Sequence, residues 1–229
     1  MQARLIEAVE LAPDLRRLVF QAEGVERLDF VPGQWVSLSA PVSGKTVTRA
    51  YSLASVPGAG NRFELCLNLV PEGVFSGPLF AMKPGETVEM QPPLGTFVLR
   101  QPPRDSVFIA TGTGIAPFRS IIASHLNESS PAFTLLFGAR FASHLTYAGE
   151  FEELARRFPQ FRFWPTLTRP EQGWSGRTGR VQAHLEEALG GRRDIDVYLC
   201  GLKAMVDDVR AILKGRGFDR KQIFYEKYD

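Results

Sequence analysis

The chain has 229 residues, 44% hydrophobic and 23% charged, a balance typical of a soluble globular protein with room for two modest domains. Its net charge of +2 is too small to indicate nucleic-acid binding, although it permits a local basic patch for an acidic partner. No apolar run approaches the roughly 20 residues of a membrane span, and the first residues lack a secretory core, so the sequence predicts a cytoplasmic protein.

Strand signals dominate the N-terminal part of the chain. Short apolar runs alternate there with turn residues such as Pro32-Gly33 and Pro84-Gly85. These runs predict strands at residues 18–20, 35–38, 51–53, 63–70, 88–90 and 97–99. Six short strands with little helical periodicity predict a small antiparallel barrel, which we assign to a domain at residues 1–101.

The pattern changes at a proline-containing linker, residues 101–104. Beyond the linker, strands are predicted at residues 106–110, 133–137, 161–167, 195–199 and 223–225. Helices are predicted between these strands, directly after Pro117 and at residues 147–157, 181–189 and 203–214. Such alternation predicts a doubly wound parallel sheet with helices on both faces, in a second domain at residues 102–229.

A glycine-containing turn joins the first predicted strand of this domain to its first helix. The turn carries Gly112, Thr113 and Gly114, and Pro117 suits the first helical turn that follows. A helix that starts there offers N–H groups and a positive dipole end to a pyrophosphate. Pro117 occupies the third glycine position of the common dinucleotide fingerprint, and a strand–helix connection without a ligand remains the alternative.

Arginines follow the next strands. Arg140 comes after the second strand, Thr168 and Arg169 end the third, and Arg177 and Arg180 lie in the following turn. Arginine forks bind phosphate oxygens well, whereas NAD-selective folds carry an acidic residue near the second strand end. The sequence therefore favours NADPH over NADH. Solvated surface arginines are the alternative, and the choice between Arg177 and Arg180 as the contact to the 2′-phosphate stays open.

The inventory of metal-ligating residues is small. Only two cysteines occur, Cys66 and Cys200, whereas an iron–sulfur cluster needs a larger set of thiolate ligands. The three histidines lack the local spacing of a metal site. We therefore expect no metal, and any redox chemistry must use an organic cofactor.

Five segments occur in the order known from one protein family. They are Arg49-Ala50-Tyr51-Ser52, Gly73-Val74-Phe75-Ser76, Gly112-Thr113-Gly114-Ile115-Ala116-Pro117, Leu199-Cys200-Gly201 and Tyr225-Glu226-Lys227-Tyr228-Asp229. Together they resemble the ferredoxin–NADP reductase family, and the resemblance covers essentially the whole chain. It implies a two-domain β + α/β fold, with a six-stranded antiparallel FAD-binding barrel followed by an NADP-binding domain on a doubly wound parallel sheet.

The resemblance assigns the first two segments to FAD. It implies that Arg49 neutralises the FAD pyrophosphate, that Tyr51 packs against the isoalloxazine, and that Ser52 lies near flavin N5, with Ala50 between them. In the second segment, backbone N–H groups and a hydroxyl complete the phosphate cradle. This second cradle consists of Gly73, Val74, Phe75 and Ser76.

The resemblance assigns the other segments to the nicotinamide and the flavin face. Thr113 and Cys200 match positions that line the nicotinamide pocket, where Cys200 packs and positions rather than attacks. Tyr228 matches an aromatic residue that stacks on the flavin, and Glu226 matches a proton-relay or positioning residue. Asp229 extends the chain one residue further, so whether Tyr228 stacks stays open.

The implied activity is hydride transfer from NADPH to FAD, followed by single-electron transfer to ferredoxin or flavodoxin. Ser52, Cys200 and Glu226 are the implied catalytic residues. The physiological acceptor, the direction of electron flow and the oligomeric state stay open. Alternatives are the reductase component of an oxygenase, a free-flavin reductase, a non-catalytic FAD-binding subunit of a larger complex, and a nucleotide-sensing domain without flavin.

Overall fold

The chain divides into two compact units. The computed structural model describes residues 1–71 and 73–228, so the effect of Asp229 on Tyr228 lies outside the described residues. The first unit contains Met1–Val98 and Ala116–Ser124, and the second contains Leu99–Ile115 and the chain from His125 onward. Each unit is built on its own six-stranded sheet. Within this described part, no helix is both long enough and apolar enough to cross a membrane.

An antiparallel sheet forms the first unit. Its elements are β1 (Gln2–Ala12), β2 (Leu15–Ala22), β3 (Trp35–Val42), β4 (Lys45–Ser52), β5 (Arg62–Asn68), α1 (Ser76–Ala81) and β6 (Thr87–Met90). The strand order is β4-β3-β6-β1-β2-β5, and the paired strands run antiparallel. A bridge between Leu53 and Leu65 joins the chain after β4 to β5, so the two ends of the sheet approach each other. The predicted six-stranded antiparallel barrel is confirmed.

One of its strands was predicted in the wrong place. Residues 97–99 lie outside both sheets, and the sixth strand is instead β1, which pairs with β2 and β6. Ala3 and Leu5 of β1 are buried, but register shifts between Leu5 and Glu7 and between Glu10 and Ala12 interrupt the alternation. Because of these shifts and of Glu7 and Glu10, apolar and polar residues do not alternate along β1. The sequence therefore lacks the period of two that predicts a strand.

Apolar side chains on the inner face of the barrel form its core. Phe20 and Phe63 are directly opposite each other on β2 and β5, and their ring centroids lie 5.5 Å apart in a stacked arrangement. Leu79 of α1 is buried in the same cluster. The core therefore holds α1, and the turn that precedes it, against the strands.

Parallel strands form the sheet of the second unit. The elements after residue 105 are β7 (Ser106–Thr111), α2 (Ile115–His125), β8 (Phe133–Ala139), α3 (Ala148–Arg157), β9 (Phe161–Leu167), β10 (Arg177–Thr178), α4 (Leu185–Leu189), β11 (Asp196–Leu202), α5 (Lys203–Gly215) and β12 (Ile223–Tyr228). Their order is β10-β9-β8-β7-β11-β12, with every pair parallel. The predicted doubly wound sheet is confirmed, and β10 is a short strand that the sequence did not predict. Because the strands are parallel, their carboxyl ends share one edge.

Tyr198 of β11 is fully buried among aromatic rings of the second unit. Its fully buried ring lies between Phe108 and Phe224, with centroid distances of 5.1 and 4.6 Å. The Tyr198 hydroxyl accepts a hydrogen bond of 3.0 Å from the backbone N–H of Arg100. Burial raises the pKa of Tyr198 to about 12, so this phenol stays protonated and the bond ties the linker to β11.

Candidate functional site

Arg49 lies near the end of β4, at one edge of the barrel sheet. Its side chain is exposed, and its Nη1 donates a 2.8 Å hydrogen bond to the carbonyl of Thr48. No carboxylate in the described part of the chain pairs with this guanidinium. Among the residues that the structure describes, the Arg49 charge is therefore not compensated, which suits an anion-binding residue.

Tyr51 links the two segments that the resemblance assigns to FAD. Its ring packs against the barrel core, and its centroid lies 6.3 Å from that of Phe75. Burial raises the pKa of Tyr51 to about 12, against the opposing influence of the Arg49 charge. Ser52, the next residue, is buried at the end of the strand. The structure therefore brings both segments together within the first unit, with Arg49 two residues from the aromatic pair.

The turn before α1 requires glycine at position 73. A Cβ added to Gly73 would lie 2.6 Å from Ser76 Oγ and 2.9 Å from Val70 Cβ. The Ser76 hydroxyl closes the turn, because it accepts from the Val70 N–H at 3.1 Å and donates to the Val70 carbonyl at 3.3 Å. Val74 is half exposed, and no side chain that the structure describes caps the start of α1. The first N–H groups of this helix therefore remain available to an acceptor.

In the second unit, the end of β7 and the turn after it lie very close to the end of β11. A Cβ on Gly114 would lie 2.3 Å from the Cys200 carbonyl oxygen, and a Cβ on Gly201 would lie 2.2 Å from Thr111 Oγ1. Gly112 and Gly201 also have positive φ angles, +55° and +140°. Gly114 and Gly201 are thus required by the contact between β7 and β11. Sequence reasoning gave Gly201 no role, although a glycine directly after a buried strand was a usable signal.

Cys200 is enclosed by groups from the neighbouring strand. It pairs in register with Glu226 on β12, and Tyr228 lies two residues further along. Burial raises the pKa of the Cys200 thiol well above its usual range, the Glu226 charge raises it further, and a hydrogen bond with Tyr228 lowers it. The thiol is therefore protonated at neutral pH, which suits packing and positioning rather than nucleophilic attack. The structure brings together these three predicted residues.

Backbone hydrogen bonds place Arg140 and Arg169 side by side. The Thr168 N–H donates to the Ala139 carbonyl at 3.0 Å, and the Arg169 N–H donates to the Arg140 carbonyl at 2.9 Å. Both arginines are exposed beyond the carboxyl ends of β8 and β9. Arg180 follows Gly179, whose N–H donates to the β9 carbonyl of Leu167 at 2.8 Å.

These three arginines have no carboxylate partner within residues 1–71 and 73–228. Arg177 differs from them. It lies on β10, opposite Thr166, so it precedes the edge at which the strands end. Its guanidinium lies 4.1 Å above the Trp164 ring and donates a 2.7 Å hydrogen bond to Glu187. Arg177 is thus paired within the fold, and whether Arg177 or Arg180 contacts a 2′-phosphate stays a prediction.

The comparisons with known proteins match both halves of the chain. Residues 2–99 match the family described as "Oxidoreductase FAD-binding domain", and residues 108–211 match "Oxidoreductase NAD-binding domain". The chain is 40% identical to ferredoxin–NADP reductase B of Sorangium cellulosum, over 100% of this chain and 97% of that protein. It is 30% identical to the anthranilate 1,2-dioxygenase electron transfer component of Acinetobacter baylyi, over 99% of this chain and 66% of that protein.

A solved structure gives the same result. The Amycolatopsis cytochrome P450 reductase GcoB superposes with a TM-score of 0.87 at 32% sequence identity. The match covers 99% of this chain and 69% of that chain. The chain thus spans about two thirds of GcoB and of the dioxygenase component, and nearly all of the Sorangium protein.

The contact between Gly114 and Cys200 predicts a specific defect. The added Cβ of Gly114→Ala would approach Cys200 to 2.3 Å, where ordinary contacts begin at 3.4 Å, so the turn and β11 must separate. We expect a loss of stability of about 1–3 kcal/mol and a roughly tenfold or greater loss of NADP⁺ affinity. Urea unfolding and calorimetric titration measure the two effects. Gly149→Ala is the control, because nothing lies within 4 Å of a Cβ there, and unchanged affinity in Gly114→Ala would contradict this account.

Proposed function

The chain belongs to the ferredoxin–NADP reductase family, and from this membership we propose that it carries electrons from NADPH through FAD to a ferredoxin. In this proposal residues 1–101 bind FAD and residues 102–229 bind NADP(H). The chemistry that FAD supplies when bound is the conversion of a two-electron hydride into two single electrons. The remaining work of binding, orientation and proton control is done by the chain's own residues.

In the first unit, the residues present fit FAD. Arg49 supplies a positive charge for a phosphate, and Tyr51 supplies a flat aromatic surface beside it. The glycine-dependent turn at Gly73 leads into an uncapped helix start, whose N–H groups suit a second phosphate. Ser52 is our choice for the hydroxyl that orients the reactive part of the flavin. Arg49, Tyr51 and the turn therefore support binding of a dinucleotide with an aromatic ring system.

In the second unit, we assign Thr113, Cys200, Glu226 and Tyr228 to the nicotinamide side of the reaction. The buried, protonated Cys200 thiol would shape the pocket without carrying charge. Glu226, in register with Cys200, would hold or move a proton, and Tyr228 would cover the ring that accepts the hydride. Positioning of this kind contributes on the order of 7–11 kcal/mol to bringing reactants together.

The choice of NADPH depends on one observation, the pair of backbone hydrogen bonds that sets Arg140 beside Arg169. Two exposed guanidinium groups that pair with no carboxylate of the described ranges favour a ligand with an additional phosphate. We propose that Thr168 and Arg180 complete this 2′-phosphate site. Arg177 is left out of the proposed site because Glu187 and Trp164 already hold its guanidinium.

A ferredoxin is the proposed acceptor because the Sorangium relative, at 40% identity, is named a ferredoxin–NADP reductase. Flavodoxin is a second acceptor of the same kind. A reductase role toward an oxygenase is the alternative, which the similarity to the dioxygenase component and to GcoB supports. We also propose a cytoplasmic location, since the two cysteines are buried and form no disulfide with each other.

FAD retention should depend on the charge of Arg49. We expect Arg49→Ala to lose most of its FAD during purification, because one charge-assisted contact to phosphate contributes about 1.5–3 kcal/mol. The ratio of absorbance at 450 nm to that at 280 nm measures flavin content. Arg62→Ala, at another exposed arginine of the first unit, is the control and should keep its FAD. Full retention of FAD by Arg49→Ala would remove Arg49 from the site.

Selectivity for NADPH should depend on Arg140 and Arg169. We expect the double variant Arg140→Ala with Arg169→Ala to raise the Kd for NADPH roughly a hundredfold, while the Kd for NADH changes less than about threefold. Anaerobic stopped-flow measurement of flavin bleaching with each nucleotide tests this prediction. Arg162→Ala, on the same strand as Leu167 but near its start, is the control. Equal losses with both nucleotides would defeat the proposed 2′-phosphate site.

The acceptor is tested by reoxidation of the NADPH-reduced protein. We expect oxidised ferredoxin to be reduced in many turnovers, and this reaction to slow as salt is added, because the carriers of this kind are acidic. Reoxidation only by an oxygenase component would favour the alternative function. A yellow protein that NADPH does not bleach would indicate a non-catalytic FAD-binding subunit and would contradict the proposal.

A further inference from the structure

A buried ion pair lies in the first unit, outside the residues assigned to the cofactors. Glu64 on β5 is only 8% exposed. Its Oε1 lies 3.2 Å from Nη1 of Arg119, and its Oε2 lies 3.9 Å from Nη1 of Arg17. Arg17 is also held by the exposed Glu7 at 2.6 Å. Arg119 therefore makes the shorter contact with the buried carboxylate.

Arg119 also holds the chain directly after the Ser52 position. Its Nη1 donates a 2.9 Å hydrogen bond to the carbonyl of Ala54. The Ala54 N–H in turn donates to the Glu64 carbonyl at 2.8 Å, and the Glu64 N–H donates to Ser55 Oγ at 3.1 Å. Glu64, Arg119 and the segment after Ser52 are thus connected by hydrogen bonds.

Helix α2 carries Arg119, and its residues Ala116–Ser124 belong to the first unit with the barrel. The Phe118 ring lies 5.8 Å from that of Phe97, and Ile121 reaches within 3.1 Å of a Cβ built on Gly33. These apolar contacts bury one face of the helix against the first unit. The bonds of Arg119 are directional, so they set one position for α2.

We propose that Glu64 and Arg119 are positioning residues for the reaction, acting through α2 and through the chain after Ser52. This inference rests on the proposed function. The turn Gly112–Gly114 runs without interruption into α2, so any shift of the helix is transmitted to the turn by covalent continuity. A buried ion pair contributes little net stability compared with apolar residues of similar size. The role assigned to this pair is therefore to hold the Ala54 carbonyl and α2 at a fixed distance through the directional bonds of Arg119. Misplacement of reactants by about 1 Å can cost about a hundredfold in rate.

The test compares Arg119→Met with Arg17→Met. Both variants remove one arginine from Glu64, but only the first releases α2 and the Ala54 carbonyl. We expect Arg119→Met to lower the limiting rate of flavin reduction by NADPH about 10- to 100-fold, with FAD content close to wild type. Arg17→Met should match wild type. Arg119→Lys, which keeps the charge, should recover part of the rate.

A second measurement does not depend on turnover. Amide hydrogen exchange in α2 and in Gly112–Gly114 should be faster in Arg119→Met and in Glu64→Gln than in Arg17→Met. If Arg119→Met fails to fold or to hold FAD, Arg119→Lys and Glu64→Gln replace it as test variants. The limiting rate of flavin reduction and the rate of amide hydrogen exchange are then measured on these two variants. If NADPH bleaches the flavin of the wild type and the variants of Arg119 and Glu64 behave like Arg17→Met, the positioning role is wrong. The proposed function would not be affected by that result. A wild type that neither NADPH nor NADH bleaches would overturn the proposed function and this inference together.

Discussion

The close approach of two glycines to neighbouring backbone is the constraint on which the second unit depends. Gly114 lies where a Cβ would be 2.3 Å from the Cys200 carbonyl oxygen, and Gly201 lies where one would be 2.2 Å from Thr111 Oγ1. With no side chain at either position, the ends of β7 and β11 pack backbone to backbone. This packing sets the turn beside Cys200, and the register of β11 with β12 then sets Glu226 beside Cys200.

The arginines fall into two groups. Some form ion pairs with carboxylates of the chain, and others are available to ligands. Arg177 is paired with Glu187, and Arg119 with buried Glu64, so their charges are compensated within the fold. Arg49, Arg140 and Arg169 are exposed and have no carboxylate partner in the described ranges. A charge left uncompensated at a strand end costs little in water and becomes useful when an anion binds. The distribution of carboxylates therefore indicates the anion sites as clearly as the arginines do.

Most of the fold was predictable because its signals are local. Short apolar runs between turn residues predicted the barrel, and the alternation of strands with helices predicted the parallel sheet. The exceptions are the short strand β10 and β1, where two register shifts broke the alternation and an apolar run at residues 97–99 took the place of β1 in the prediction. A buried apolar run outside a sheet can have the composition of a strand, so only strand pairing distinguishes the two.

By itself, the sequence determined the order of the motifs and hence the family, the two cofactors and the candidate residues around Tyr51, Gly114 and Cys200, because each motif is a contiguous run. Only the tertiary structure decided which candidates keep an uncompensated charge. Ion pairs join residues that are distant along the chain, 10 positions for Arg177 and Glu187 and 55 for Glu64 and Arg119. A short sequence pattern therefore cannot predict which carboxylate pairs with a given arginine. Only the folded backbone brings the two side chains within reach of each other.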